Sequence, residues 1–290
     1  MKGYNVAELH SRLLTDLAPP DIQEYLSTGD TILVPMGAVE MHGYHLPIGT
    51  DIYNAMEVSK RAANKANVLY GPPIWTGYSP HHLREPETGQ GTLTFRGETL
   101  RAVIHDTARS LIHHGFNRII FVNGHTSNTK ATDEVFRQLR YETGALLGMF
   151  KPYGERYLGI IEDLMENSKE ETAGWHASEQ ETSIMMAYNP ANVKLERGID
   201  TRAQAPDWLP SSFKKVDASP DVEFQGYEYF YFPMEHQEMA PHGVIGNPFR
   251  ATAEKGEQIF ERFSDHLAAA VEELKKVKVD IRNRKYVQKA

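Results

Sequence analysis

Glu40 and His42 stand two residues apart in the segment Gly37-Ala-Val-Glu40-Met-His42-Gly-Tyr-His45-Leu-Pro-Ile-Gly-Thr-Asp51. In extended backbone that spacing sends both side chains off one face, where they can converge on a single cation. Asp51 follows at a predicted helix start, a position where a carboxylate can cap the helix or bind metal. Two further polar sets stand in the same relation to regular structure. Gly124-His125-Thr126-Ser127-Asn128 comes straight after an apolar run, and His176-Ala-Ser-Glu-Gln-Glu181 leads into a helix. Taken singly, Glu181 could serve a helix dipole, His42 and His45 could be hydrogen-bonded loop histidines, and Trp175 and His176 could fill a surface groove. Taken together, Glu40, His42, Asp51, His125 and Glu181 make up the inventory of a two-metal hydrolase. In such a centre a shared carboxylate holds two ions and a bridging hydroxide attacks a polarised carbonyl. Three carboxylates and two neutral imidazoles nearly offset two divalent cations and leave one charge for the hydroxide.

The elements that must position these groups read as alternating strands and helices. Short helices are predicted from Val6 to Leu14 and, after a Pro19-Pro20 break, from Asp21 to Leu26. Thr31–Met36 and Arg118–Asn123 are continuously apolar, as strands buried on both faces are. Val68–Tyr70 and Ala145–Phe150 are further strand candidates. Helices are predicted from Asp51 to about Ala66, from Gly97 to His114 with Gly115 as its stop, and up to Thr143 with Ser127 or Asn128 as its cap. Gly71 to Gln90 reads as a loop and Gly154 to Ser168 as a helix. Residues 195–246 form a long excursion with a hairpin at Glu223–Phe232, a length that in a compact domain serves a site or an interface. A strong amphipathic helix follows from Thr252 to Lys276, and the basic tail from Lys275 to Lys289 reads as solvated surface. The pattern predicts a single domain over residues 1–290, a three-layer α/β/α fold with a mainly parallel sheet. Ligands in such folds lie beyond the C-terminal strand ends, where these polar motifs fall.

Composition narrows the function classes. The chain of 290 residues is 40% hydrophobic, enough for a substantial core, and its net charge of −8 argues against a nucleic-acid binder. It has no cysteine, so disulfides, thiolate metal sites and cysteine nucleophiles are excluded and any metal must be held by His, Asp and Glu. Neither a signal-peptide core nor a bilayer-length apolar run occurs, so a cytoplasmic location without membrane contact is expected. Glycine-rich phosphate loops and a Gly-x-Ser-x-Gly elbow are missing too. His81, His82, His113, His114, His236 and His242 are scattered in the sequence, and the pair before Gly115 would complement a helix C-terminus.

Four segments resemble, in order, the signatures of the creatininase (creatinine amidohydrolase) family: Glu40 to Asp51, Asn123 to Asn128, His176 to Ser183, and Gly243-Val-Ile-Gly-Asn-Pro-Phe-Arg-Ala-Thr-Ala-Glu-Lys-Gly256. The resemblance implies that Glu40, Asp51 and His125 hold one ion and that His42, with Asp51 as the bridge, holds the second. A Tyr and a Glu of the name-giving enzyme are replaced here by Thr126 and Ser127. Ser127 cannot replace a carboxylate ligand, and we assign the vacated place to Glu181. The resemblance also implies His176 for proton transfer, Trp175 for stacking on a planar substrate, and Ser79, His82 and Thr126 as pocket residues. Two zinc, manganese or iron ions per subunit and a homohexamer complete the expectation.

The leading expectation is thus a metal-dependent amidohydrolase that opens a small polar, cyclic substrate, with His176 and Glu181 as catalytic groups. A carbon–carbon bond hydrolase acting on a cyclic diketone such as an oxidised inositol is the alternative. A third reading is a non-catalytic metal- or ligand-binding protein. The replacements at Thr126 and Ser127, the Arg84–Gln90 insertion and the long excursion all bear on which substrate fits.

Overall fold

The computed structural model describes residues 9–83, 89–152, 158–166, 176–215 and 219–286. Trp175, the predicted helix start at Val6, most of the Arg84–Gln90 insertion and the two ends of the predicted 154–168 helix lie outside them. Within that last segment, Gly159–Leu164 is a 3-10 helix.

Four strands, β1 (Thr31–Met36), β2 (Leu69–Tyr70), β3 (Arg118–Asn123) and β4 (Leu146–Phe150), form an all-parallel sheet in the order β2-β1-β3-β4. Side-chain alternation along β1 and β3 explains the layers. Ile32, Val34 and Met36 of β1, with Ile119 and Phe121 of β3, pack on helices α1 (Pro19–Thr28), α3 (Gly97–His114) and α4 (Thr129–Thr143). Leu33, Ile120 and Val122 point the other way. They meet α2 (Thr50–Lys65), α5 (Glu179–Tyr188) and α7 (Ala253–Lys275) through Val58, Ala62, Ile184, Ile259, Phe260 and Phe263. Both faces of the sheet are therefore dry, which is why its central strands are continuously apolar. The α5 and α7 helices approach closely because Gly256 has no Cβ, which would fall 1.9 Å from the Ser183 carbonyl oxygen.

Several expectations change in detail. Pro19 and Pro20 open α1 instead of breaking the chain, since a proline in the first turn gives up an N–H that has no helical partner anyway. Neither Ser127 nor Asn128 caps α4, whose start is reached through a 3-10 turn over Thr126–Asn128. The excursion carries a three-stranded antiparallel sheet, β5 (Phe213–Lys215), β6 (Asp221–Phe224) and β7 (Tyr227–Tyr231), followed by the short helix α6 (His236–Met239). The predicted hairpin is its β6–β7 half, and Leu209, Val222, Met234 and Met239 form a small core of its own.

The basic tail is not merely solvated. Arg109 on α3, 4% exposed, donates to the carbonyls of Asn283 and Lys285, and Arg284 donates to the Ile112 carbonyl at the end of α3. No helix among the described residues is long and apolar enough to cross a membrane.

Candidate metal centre

Register along the sheet brings the motif loops together. Met36 pairs with Asn123 at the ends of β1 and β3, so the Glu40 and His125 loops leave adjacent strands at the same level. Gly124 lets them touch: a Cβ there would fall 2.1 Å from the Asp51 carbonyl oxygen. Asn128 ties the loops to one another, donating to the Gly37 carbonyl at 2.9 Å and the Asn123 side chain at 3.1 Å, and accepting from the Tyr78 N–H at 2.9 Å. The sequence reading missed that cross-linking role. Its only signal was an Asn standing five residues after the strand end, where a helix cap was the simpler assignment.

Asp51 sits in the first turn of α2, one residue inside the helix, and the N-cap position is held by Gly49. The two Asp51 carboxylate oxygens face different partners. Oδ2 is 3.2 Å from His125 Nδ1, which is also 3.3 Å from Glu40 Oε1. Oδ1 is 3.1 Å from His42 Nε2, which lies 3.5 Å from Glu181 Oε2. Two sets of ligand-type atoms result, Glu40–Asp51–His125 and His42–Asp51–Glu181, each close enough to surround one ion and sharing Asp51. All five residues expected from the sequence are in these sets.

The surrounding bonds fix which ring nitrogens face inward. His42 Nδ1 donates to the Glu40 carbonyl at 3.1 Å, which leaves Nε2 as the ring atom available to a cation. His125 Nε2 is held 3.1 Å from the Tyr78 carbonyl and 3.1 Å from the Ser79 hydroxyl, which leaves Nδ1. Such outer bonds set tautomer and orientation at metal-binding histidines. Glu181 is steadied by the Ala177 N–H, which donates to Oε2 at 2.6 Å. Ala177 itself lies in the left-handed region, at φ +52°. His45 Nε2 contacts the Thr182 hydroxyl at 3.0 Å and so couples the first loop to α5.

The donor set fits divalent cations. Glu40, His42 and Asp51 are at most 2% exposed, yet Glu40 Oε2, His42 Nε2 and Asp51 Oδ2 have no hydrogen-bond partner among the described residues. Buried polar atoms are seldom left so, and hard carboxylate oxygens with imidazole nitrogens suit zinc or manganese. The electrostatics agree. Burial acts to raise the Glu40 carboxyl, but His125, His82 and His42 outweigh it and hold it well below its usual range. Burial acts to lower His42 and His125, but the carboxylates outweigh it, holding His42 well above the ordinary value and His125 at about 10. The cavity is thus built for positive charge.

His176 stacks on His42 with ring centroids 4.5 Å apart. Its Nε2 lies 2.9 Å from the Met41 carbonyl and its Nδ1 3.9 Å from Glu40 Oε1. Burial, then the neighbouring His42, lowers its pKa. Ser79, expected in the pocket lining, is fully buried with its hydroxyl on His125. His82 is also buried, with Nε2 3.7 Å from Glu40 Oε2. Thr126 is half-buried in the 3-10 turn, where its carbonyl accepts from the Thr129 hydroxyl. His236, which the sequence left among the scattered histidines, comes in from the excursion and stacks on His82 at 4.4 Å. Nothing in its sequence neighbourhood marked it.

Comparison with known proteins points one way. The sequence model of the family described as Creatinine amidohydrolase matches residues 15–271. A creatinine amidohydrolase of Pseudomonas putida is 28% identical over 89% of this chain and 95% of its own length. A mycofactocin precursor peptide peptidase of Mycobacterium ulcerans is 26% identical over 89% and 91%. A 3-dehydro-scyllo-inosose hydrolase of Thermotoga maritima is 26% identical over 87% and 80%. A creatininase crystal structure superposes with a TM-score of 0.71 at 25% identity, covering 93% of this chain and all of that one, and a creatininase structure designated Mn gives 0.72.

Proposed function

Because the chain belongs to the creatininase family of hydrolases, we propose that it is a cytoplasmic metal-dependent amidohydrolase that opens a small, polar, cyclic substrate at a carbonyl. The observation that carries this reading is the division of the Asp51 carboxylate between two ligand sets. On it, Glu40, Asp51 and His125 hold one divalent ion, and His42, Asp51 and Glu181 hold the other. Such ions polarise a carbonyl and supply a nucleophilic water at neutral pH.

The chain's own residues do the rest. His42 and His125 are locked in the tautomers that face the centre. Burial of the carboxylates keeps the local dielectric low, so charges developing on the substrate are felt strongly. The His176 Nε2–H donates to the Met41 carbonyl, so Nδ1, the atom turned toward Glu40, holds the lone pair that can take up a proton. His176 Nδ1 accepts a proton from the attacking water and returns it to the nitrogen released as the C–N bond breaks, which balances the hydrolysis. Ser79 holds the His125 ring, and His82 and Thr126 border the substrate. A homo-oligomer, hexameric by the family resemblance, belongs to the same reading; the exposed aromatic strand Tyr227, Tyr229, Phe230 and Tyr231 supports such contacts.

One observation favours a second reading. The inosose hydrolase relative matches almost as well as the creatinine amidohydrolase, 26% against 28% identity, which supports carbon–carbon cleavage of a cyclic ketone by the same centre. The test is metal analysis of purified protein followed by parallel NMR screening of cyclic amides, cyclic ketones and short peptides. Ring-opened product from an amide supports the first reading, and product from a ketone alone transfers it to the second. Absence of bound transition metal together with turnover that survives metal chelation would refute both.

A further inference from the structure

Beyond the two carboxylate-bearing sets, a cluster of imidazoles lies on the His176 side of Glu40. His82 follows β2, His176 precedes α5, and His236 begins α6 in the excursion. Their ring centroids are 4.4 Å (His82–His236), 4.5 Å (His176–His236) and 5.4 Å (His82–His176) apart. One ring nitrogen from each lies within 4.8 Å of the others. His82 is 0% and His236 4% exposed, and both ring nitrogens of each have no hydrogen-bond partner among the described residues. Buried imidazole nitrogens are seldom left unpaired, and a cation among the three rings would take one nitrogen of each.

We propose that His82, His176 and His236 form a third transition-metal site, which takes zinc only after the carboxylate sets are filled and thereby withdraws His176 from proton transfer. Ligand chemistry sets the order. Three neutral imidazoles leave both cation charges uncompensated in a buried place, so this site is weaker than sets bearing two carboxylates. Glu40, with Oε2 at 3.7 Å from His82 Nε2, lends it negative charge without being one of its three ligands. Imidazole-only coordination suits zinc and discriminates against manganese and magnesium, which prefer oxygen. Tetrahedral zinc with bonds of about 2.0–2.1 Å requires the ring nitrogens to draw closer than they stand here. His236 can supply that movement, since it sits on a four-residue helix joined to the His82 loop by a long bond, Gln237 Nε2 to the His82 carbonyl at 3.4 Å. Zinc on His176 Nδ1 occupies the proton-accepting atom, and zinc on Nε2 displaces the Met41 carbonyl. The inhibitory consequence rests on the role proposed for His176; the site itself does not.

The experiment is equilibrium dialysis of the full-length protein, first stripped of metal, against buffers of rising free zinc. Bound zinc is counted by mass spectrometry and located by anomalous diffraction at the zinc edge. Wild type should fill two positions and then a third, with the third anomalous peak among His82, His176 and His236. His236→Ala should lose the third ion and keep the first two, and a manganese series should stop at two. His82→Gln serves as the second variant should His236→Ala melt early. Saturation at two ions, a third peak elsewhere, or a third ion that survives both substitutions overturns the proposal, and the first of these assigns the imidazoles to substrate instead. Failure of the two-metal reading is separable, because it would appear as retention of the first two ions in Asp51→Asn.

Discussion

His42 and Asp51 face each other at 3.1 Å, Nε2 to Oδ1, without the geometry of a hydrogen bond. Two groups that close and not bonded to one another are aimed at a common point, and the other Asp51 oxygen is aimed in the same way beside His125. Asp51→Asn keeps the volume and removes the charge that both ligand sets share. Metal content of the purified variant should fall for both ions together, with affinity reduced by at least about 100-fold, the upper range seen even for outer-shell changes. Loss of one ion with the other bound at full strength would show that Asp51 is not shared.

Proton linkage follows from the same contacts. Burial opposes the charged imidazoles, but Glu40, Asp51 and Glu181 hold His125 at about 10 and His42 well above its ordinary value. Metal-free protein therefore favours the protonated form of both rings, and an incoming cation must displace those protons. Affinity at each set should rise about tenfold per pH unit across the neutral range, and calorimetry in buffers of different ionisation heat should show one proton released per ion. Stability has the opposite sign in the metal-free form. Raised histidine pKa values stabilise it fully below about pH 6.5, and that contribution is lost as pH rises toward about 10. Melting temperatures of chelator-treated protein should fall across that interval; a flat profile would remove the electrostatic account.

Much of this candidate centre was legible in the sequence because each candidate ligand stands where regular structure is punctuated. Glu40 and His125 follow dry strands whose apolar runs are unmistakable, and Asp51 opens a helix with a clear apolar face. His236 was illegible because it acts across the chain: it reaches His82 only through the fold of residues 195–246, a segment without periodicity. Asn128 misled for the opposite reason. Its local chemistry favours a cap, and the tertiary bonds to Gly37 and Tyr78 outweigh that preference. The tail was misread because a run of Lys and Arg says nothing about backbone carbonyls, and those are what Arg109 binds.

Gly124 shows how little space the centre leaves. A methyl group at this position would meet the Asp51 carbonyl oxygen at 2.1 Å and its carbonyl carbon at 2.9 Å, both backbone atoms that cannot swing aside. Gly124→Ala must therefore push the β3 loop away from α2 and open the distance between His125 and Asp51. The expected cost is about 3 kcal/mol or more in chemical denaturation, at the upper end for an added methyl group in a packed interior, accompanied by loss of metal. Full metal content in a destabilised variant would mean that the loops can separate without disturbing the ligands.

The C-terminal tail separates stability from chemistry. Arg109 is buried with two of its donors on the Asn283 and Lys285 carbonyls, Arg284 covers the Ile112 carbonyl at the end of α3, and the Tyr286 hydroxyl donates to Asp106 at 2.7 Å. Hydrogen bonds from a charged donor contribute about 1.5–3 kcal/mol each, although truncation lets water reach Arg109 and recovers part of that. Removing residues 281–290 should thus lower unfolding free energy by about 2–4 kcal/mol while leaving metal stoichiometry unchanged, because the tail binds α3 on the side of the sheet away from α2 and α5. Denaturant midpoints and metal counts on the same preparation decide it. A truncated chain as stable as the full one would return the tail to solvated surface, and one that folds normally but loses metal would tie α3 to the centre in a way these contacts do not predict.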